Sequence, residues 1–393
     1  MYADRYVFSQ VADFIPRYRF DQCVNRYGGN RRMRHLSCRD QFLSMMFGQL
    51  SYRASLRDVV VCLNTQRQSL YHLGITSKVA RSTLAKANEN RNWRIYRDFA
   101  EILIEEAKKI CLGDGEFRLN LEGSVYALDS TTIDLCLAIF PWAEFRTTKS
   151  AIKAHTLFDI RANVPSFFLI TKGKVHDVTA LDKIVFESGA YYVMDRAYLD
   201  FERLYGIHTS GAFFVIRAKK NTKLRRTSSN PLGVLHKEAG VRGDQMVRFS
   251  GVKSDEKYPE RLRRIVFFDS SKQRRFVFLT NDLSSDALVI CDLYRYRWRV
   301  ENFFKWMKQH LRITSFWGYS GNAVKTQVCI AMCTYVLVAI MRKKLNINRS
   351  MYEILQILSV SLFVKKPLNT LFLENPPPDI RKGNEKQACL WDF

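Results

Sequence analysis

Between residues 124 and 280 the chain is written in short runs of β-forming residues, each stopped by a turn or a polar cluster. That texture constrains the fold more than any other feature. The runs are Ser124–Leu128, His155–Ile160, Ser166–Thr171, Tyr191–Met194, Ala212–Arg217 and Phe276–Thr280. Leu181–Glu187 fits a helix between two of them. Strands with interleaved helices predict an α/β sheet.

The flanks have a different period. Residues 1–115 read as helical: Asp40–Leu50 and Trp93–Ile110 carry apolar residues at three- and four-residue spacings, and Pro16 is the only proline of the stretch. Gly113-Asp114-Gly115 marks a boundary. Arg26, Arg31, Arg32, Arg34 and Arg39 gather near aromatic and polar residues in this region. Leu293–Leu311 and Ala323–Leu345 read as helices again, before Asn375-Pro376-Pro377-Pro378 and a polar tail. The predicted organisation is a helical region at 1–115, an α/β core at 116–217 and 276–322, a β segment at 218–275, and a helical C-terminal region and tail at 323–393. There is no internal repeat and no P-loop, and Gly318-Tyr319-Ser320-Gly321 is too short and wrongly placed for a nucleotide fingerprint.

The β segment is expected as hairpins and loops inserted into the α/β core. It holds Ser228-Ser229-Asn230-Pro231, Gly233, Gly240, Gly243, Gly251 and Pro259, with alternation at Met246-Val247-Arg248-Phe249. It is also strongly basic. Arg217–Arg275 contains 17 Lys and Arg against six Asp and Glu, nearly half of the chain's net charge of +24. A charge run is ordinarily a solvated surface, but an excess of this size across the whole chain favours a polyanion. Lys219, Lys220, Arg225 and Arg226 are therefore candidate phosphate contacts.

Composition removes several classes. A chain of 393 residues, 47% hydrophobic, is neither wholly disordered nor a disulfide-stapled miniprotein, and at ~150 residues per domain it has room for two or three domains. The positive excess points to nucleic acid or an anionic membrane surface. Nine scattered cysteines without a CxxC pair exclude a disulfide framework and a zinc ribbon, and suit a reducing cytoplasm. The most apolar run, Val328–Met341, is 14 residues, short of the ~20 that span a bilayer. Residues 1–5 lack the apolar stretch of a secretory signal. The expectation is a soluble, cytoplasmic, basic protein.

Three acidic residues stand out by context. Asp129 follows Val125-Tyr126-Ala127-Leu128, and Asp195 follows Tyr191-Tyr192-Val193-Met194, so each is expected at the C-terminal end of a strand, where open α/β sheets carry their sites. Taken singly, either one fits a cap or a turn equally well. Glu301 lies in a denser pattern. Tyr294, Arg297, Glu301 and Lys308 fall within about 60° of one another at ~100° per residue, on one face of a single expected helix. Phe303, Met307 and Leu311 lie on the opposite side. A lone Glu among Arg, Lys and Tyr suits a cation-binding carboxylate beside DNA phosphates. The plainer reading is an amphipathic helix with an i, i+4 Arg–Glu pair.

The spacing Tyr-x2-Arg-x3-Glu-x6-Lys, met by Tyr294, Arg297, Glu301 and Lys308, resembles the signature of the DDE transposases of the insertion-sequence-4 family. Ala127-Leu128-Asp129-Ser130-Thr131-Thr132 resembles that family's first-Asp motif, and Tyr192-Val193-Met194-Asp195-Arg196-Ala197-Tyr198 its second. Lys153-Ala154-His155, Gly173-Lys174-Val175-His176-Asp177 and Phe278-Leu279-Thr280-Asn281 resemble its second strand, a polar turn and the strand that returns from the β insertion. The likeness covers roughly residues 120–345. It implies a ribonuclease-H-like core interrupted by a mainly β insertion, with helical N-terminal DNA-binding and C-terminal regions. It also implies that Asp129, Asp195 and Glu301 bind two divalent cations, Mg2+ with Mn2+ as a substitute, for in-line cleavage and strand transfer of DNA. Tyr294, Arg297 and Lys308 would hold phosphates of the element's terminal inverted repeats, and the protein would act as a homodimer on paired ends. A catalytically inactive relative acting as a repressor, or another nuclease of this core, is the alternative.

Other residues carry weaker signals. Asp134 has no counterpart in the motifs. His155 fits either a residue behind the site or a hydrogen-bonded sheet histidine, and His176 and Asp177 fit a site or a turn. Cys329 and Cys333 are expected in the core rather than on zinc. Trp298 is expected to pack inward rather than stack on a base.

Overall fold

The computed structural model describes residues 5–65, 70–75, 78–111, 117–146 and 149–373. The predicted boundary at Gly113-Asp114-Gly115 and the proline-rich tail lie outside the described residues. Six helices come first: α1 (Val7–Ala12), α2 (Arg17–Arg26), α3 (Cys38–Leu50), α4 (Leu56–Thr65), α5 (Arg81–Asn90) and α6 (Arg94–Cys111). α3 opens on a capping box, with Asp40 N donating to Ser37 Oγ and Ser37 N to Asp40 Oδ2. α6 buries Ile95, Phe99, Leu103, Ile104 and Ala107 along one stripe, as its period predicts.

The central strands then follow: β1 (Val125–Leu135), β2 (Glu144–Arg146), β3 (Lys149–Asp159), β4 (Val164–Lys172), β5 (Tyr191–Met194), then α7 (Phe201–Thr209) and β6 (Phe213–Arg217). β1, β5 and β6 run parallel, while β3 lies antiparallel between β1 and β4. This mixed sheet, with helices against it, fits the ribonuclease-H-like core expected from the sequence. The helix expected at Leu181–Glu187 is instead a 3-10 segment at Asp177–Lys183. Ala180 and Leu181 are buried there, but Val185 is 94% exposed, so no apolar face carries a helix onward.

The basic segment contains β7 (Leu224–Ser229), α8 (Val234–Glu238), β8 (Val241–Phe249), α9 (Val252–Lys257) and β9 (Leu262–Asp269), and β10 (Arg274–Thr280) brings the chain back beside β6. Its strands form no second sheet. They continue the main one, in the order β2-β3-β1-β5-β6-β10-β9-β8-β7 with β4 on β3, so that β7 is an edge.

After β10 come α10 (Ala287–Tyr296), α11 (Trp298–His310), α12 (Gly321–Lys344), α13 (Met351–Ser361) and α14 (Leu368–Leu371). The single helix expected over Leu293–Leu311 is thus two. At the junction, Arg297 N bonds Tyr294 O and Val300 N bonds Arg297 O, so three-residue bonds replace the four-residue ladder. α12 is 24 residues with a window of mean hydropathy 1.8, long and apolar enough to cross a bilayer, but 89% of that window is buried inside the protein. Cys329 and Cys333 sit within it at full burial, as expected.

Period-two alternation divides β1 between two cores. Val125, Ala127, Ile133 and Leu135 face the large core built by α1–α6 and α10–α13. Tyr126 and Leu128 face a smaller core with Leu181, Tyr198, Leu204 and Ile207. The N-terminal and C-terminal helical regions therefore share one interior, with α6 packed along α12.

Candidate active site

The parallel ladder between β1 and β5 ends at the rung Leu128↔Met194. Asp129 and Asp195 are the next residues on each strand, which sets the two carboxylates side by side. The strand-end reading holds for Asp195 and needs correction for Asp129. β1 continues to Leu135, paired with β3 alone. Ser130-Thr131-Thr132 looks like the end of a run because it is polar, but hydroxyl residues do not prevent antiparallel pairing. Asp195 is the N-cap of a 3-10 turn at Arg196–Tyr198, yet its side chain makes no capping hydrogen bond. Capping therefore does not account for that carboxylate.

Glu301 lies in the first turn of α11 and Arg297 at the junction before it. Arg297 is 8% exposed and reaches two carboxylates at once: Nη1 donates to Asp129 Oδ2 at 3.2 Å, and Nη2 pairs with Glu301 Oε1. Burial, first of all, pushes the Asp129 carboxyl up to about 6. The Arg297 guanidinium and the Ser130 N–H oppose that rise, while the charges of Glu301 and Asp195 add to it. The site is a crowd of negative charge restrained by one arginine.

The other two signature residues turn inward. Tyr294 is buried, its ring 4.6 Å from that of Phe278 and 5.5 Å from the Arg297 guanidinium. Lys308 Nζ donates to the Thr132 carbonyl at 2.8 Å, tying α11 to β1, and burial lowers its pKa. The four signature residues do not share one helical face, since the break at Arg297 divides them. Trp298 reverses the core expectation: it is 50% exposed, with the Lys272 ammonium 5.0 Å from its ring centre. It borders a cavity of about 240 Å³ beside Asp195, lined also by Phe276, Tyr294, Arg217 and Arg297.

Sequence reasoning undervalued Asp177. It accepts a hydrogen bond from Ser130, the residue after Asp129, and an ion pair from Lys153. The signal was available, because both partners lie in motifs already singled out, but their meeting depends on β3–β1 register. His155 is a buried sheet histidine, its Nε2 on Thr171 Oγ1 at 2.8 Å. The Asp134 side chain is exposed and has no hydrogen bond or ion pair among the described residues, though its charge acts on the Lys308 ammonium.

Among the described residues no three His, Cys, Asp or Glu side chains converge as a metal site. The donor set still fits one. Three carboxylates supply the hard oxygens that Mg2+ and Mn2+ prefer, and the charges of Glu301 and Asp195 both act on the buried Asp129 carboxyl.

Two basic surfaces are present besides the carboxylates. Lys219, Lys220, Arg225 and Arg226 are exposed, the two arginines on the edge strand β7. Arg31, Arg32 and Arg34, with Lys86 of α5, are exposed around a groove of about 730 Å³ that has no carboxylate in its lining. The loop carrying these arginines is built rather than loose. Asn30 Oδ1 accepts from Cys38 N at 2.8 Å, and Arg91 Nη1 donates to Ser37 O at 2.9 Å. A Cβ at Gly29 would meet Ile95 Cδ1 at 2.6 Å.

Comparison with known proteins places the chain in a family. A family model described as "Transposase DDE domain" matches residues 120–337, and one described as a domain of unknown function matches residues 4–76. A protein of Sinorhizobium fredii named as a transposase is 30% identical over 307 residues, 78% of this chain and 83% of that one. A Geobacillus stearothermophilus protein named as the transposase for insertion sequence element IS5377 is 27% identical, over 65% of this chain and 66% of its own. One from Synechocystis named for insertion sequence element IS4SA is 22% identical, over 66% and 71%.

Proposed function

From this chain's membership of the DDE transposases of the insertion-sequence-4 type, we infer that it binds the terminal inverted repeats of its own element and catalyses DNA cleavage and strand transfer. The observation that carries the reading is the Asp129–Arg297–Glu301 bridge, formed where the Leu128↔Met194 rung sets Asp129 beside Asp195. Asp129, Asp195 and Glu301 would hold two divalent cations, Mg2+ or Mn2+, which supply activation of water or a 3′-hydroxyl and stabilisation of the leaving oxygen.

The chain's own groups set the rest. Arg297 offsets part of the charge of Asp129 and Glu301, and a phosphate arriving there would compete for the same guanidinium. Lys308 holds β1 through Thr132, which takes one of its three N–H donors and leaves the others for a phosphate. Tyr294 acts from beneath, as the ring on which Arg297 rests. The exposed Trp298, rimmed by Lys272, offers an unstacked base a platform next to Asp195. The arginine loop and β7 are the proposed phosphate contacts of the flanking duplex, and a homodimer on paired ends, working in the cytoplasm, is the proposed assembly.

The test is nicking of a plasmid that carries the DNA flanking this reading frame, with Mg2+ or Mn2+. Wild type should cut at the element's end. Asp129→Asn, Asp195→Asn and Glu301→Gln should bind the same DNA without cutting it. A wild-type chain that binds this DNA and never cuts it is a DNA-binding relative, and the transposase activity is then wrong.

A further inference from the structure

Three of the motifs singled out in the sequence meet behind the site. Ser130 on β1, Lys153 and His155 on β3, and Asp177 at the end of the polar turn converge on the face of β1 opposite Asp129. Asp177 Oδ1 accepts from Ser130 Oγ at 2.8 Å and from Lys153 Nζ at 3.1 Å. Lys153 also donates to Val175 O at 2.9 Å, so it braces the turn that presents Asp177. His155 closes the cluster from below, with Nδ1 3.9 Å from Asp177 Oδ1.

The topology explains why a brace is needed here. β1 is supported by β5 only as far as Leu128↔Met194, and from Asp129 onward that edge has no strand beside it among the described residues. Asp129 is the first residue past the support and Ser130 the second. A ligand-holding carboxylate needs its geometry fixed to within about 0.5 Å. Ser130 supplies two bonds for this: its N–H donates to Asp129 Oδ1 at 2.8 Å, while its hydroxyl is anchored on Asp177. A largely buried Lys–Asp pair adds little net stability, because desolvation offsets the attraction. Holding a neighbour in place is a use that such a pair can serve.

We propose that Asp177, braced by Lys153, is a positioning residue of the carboxylate site: it holds Ser130, and through Ser130 holds the Asp129 carboxylate oriented to take a divalent cation. The inference rests on the reading of Asp129, Asp195 and Glu301 as cation ligands, and the measurements below judge the two separately.

The test uses the full chain with Asp177→Ala, Asp177→Asn, Ser130→Ala and the Asp177→Ala/Ser130→Ala pair. Asp182→Ala, which breaks a surface ion pair with Arg203, is the control. Mn2+ binding without DNA is followed by electron paramagnetic resonance of the free ion, beside the Mn2+ dependence of nicking and the melting temperature without metal. Asp177→Ala and Ser130→Ala should each weaken Mn2+ binding about 10-fold, the typical cost of losing a partner that orients a metal ligand. The double variant should be no worse than either single one. Asp177→Asn should recover most of the affinity, since its amide oxygen still accepts the Ser130 hydroxyl, and Asp182→Ala should match wild type. Wild-type Mn2+ affinity in Asp177→Ala overturns the proposal, and so do additive losses in the double variant. A lowered melting temperature with unchanged Mn2+ affinity also overturns it. If Asp177→Ala does not fold, Ser130→Ala decides by the same Mn2+ measurement. A wild type that binds Mn2+ but cuts nothing defeats the transposase activity alone, and one that binds no Mn2+ defeats both.

Discussion

The β segment at 218–275 and the loop at 28–35 are both basic, but they use their positive charge in opposite ways. In the β segment part of it is committed to partners within the chain. Arg263 makes a two-pronged contact with Asp244, at 2.8 and 2.7 Å with both partners buried. Arg264 bonds Gln245 Oε1, Arg242 bonds the Lys237 carbonyl, and Lys257 pairs with Glu202. Arg217 and Arg274 lie against the Phe276 ring. In the loop, Arg31, Arg32 and Arg34 have no hydrogen bond or ion pair from their side chains among the described residues, and Arg91 is the arginine that holds the loop's backbone in place. A charge count made along the sequence ranks the β segment first. Per residue of chain, the charge left over for an external polyanion is denser in the loop, where three arginines stand within four residues.

That contrast can be broken at either end. The largest effect is expected at Arg263. Arg263→Met strands Asp244 without its partner, and breaking a buried pair from one side costs about 3–5 kcal/mol. Urea unfolding should show that loss, while the salt dependence of DNA binding stays at its wild-type slope. A changed slope with unchanged stability would place Arg263 on DNA and erase the distinction.

The loop should behave in reverse. Each phosphate contact contributes about 0.9 to the slope of log K against log salt, so neutralising Arg31, Arg32 and Arg34 together should flatten it by up to about 2.7 with no loss of stability. Neutralising Arg225 and Arg226 on β7 should flatten it less, by at most about 1.8. If the β7 pair proves the stronger, the ranking by free charge is wrong and the ranking by sequence count is right.

His155 sharpens the same point with a basic residue that has no charge to offer. Burial, the main cause, holds its pKa down to about 4 against an ordinary 6.5. Between those values the unfolded chain takes up a proton that the folded one refuses. Stability from this group is therefore complete above 6.5 and falls as pH drops toward 4. From pH 7 to pH 5 the loss is about 2 kcal/mol. Asp129, pushed up to about 6, acts in the opposite direction over part of this range, so the group is isolated by difference. His155→Gln should lose about 2 kcal/mol less than wild type on that acidification, measured by urea unfolding at both pH values. Equal losses would mean that His155 is charged in the folded protein.

Much of the site was legible without coordinates, and the failures there share a cause. Asp195 is found at the end of its strand because Tyr191-Tyr192-Val193-Met194 is a local pattern followed by a local stop. Asp129 was placed at a strand end, yet β1 runs on, because pairing with β3 compensates for residues that look like a terminus. The spacing of Tyr294, Arg297, Glu301 and Lys308 identified the right segment, but the single-helix geometry drawn from it fails at Arg297. There the guanidinium's reach to Asp129 and Glu301 accompanies a local change of hydrogen bonding that no helical wheel contains. Trp298 is expected inward, but the break after Tyr296 turns it toward Lys272 and solvent.

By itself, the sequence determined what depends on near neighbours in the chain: the strand runs, the amphipathic α6, the apolar α12, and the spacing that brings an arginine within one turn of Glu301. These follow from backbone geometry and side-chain period, which act over a few residues. The tertiary structure decided which charges are spent and which remain. Arg263 and Arg31 are chemically the same side chain, but Asp244 arrives beside one and no carboxylate among the described residues pairs with the other. An ion pair depends on distances of a few ångströms between residues far apart in sequence, and only the closed sheet and its packed helices set those distances.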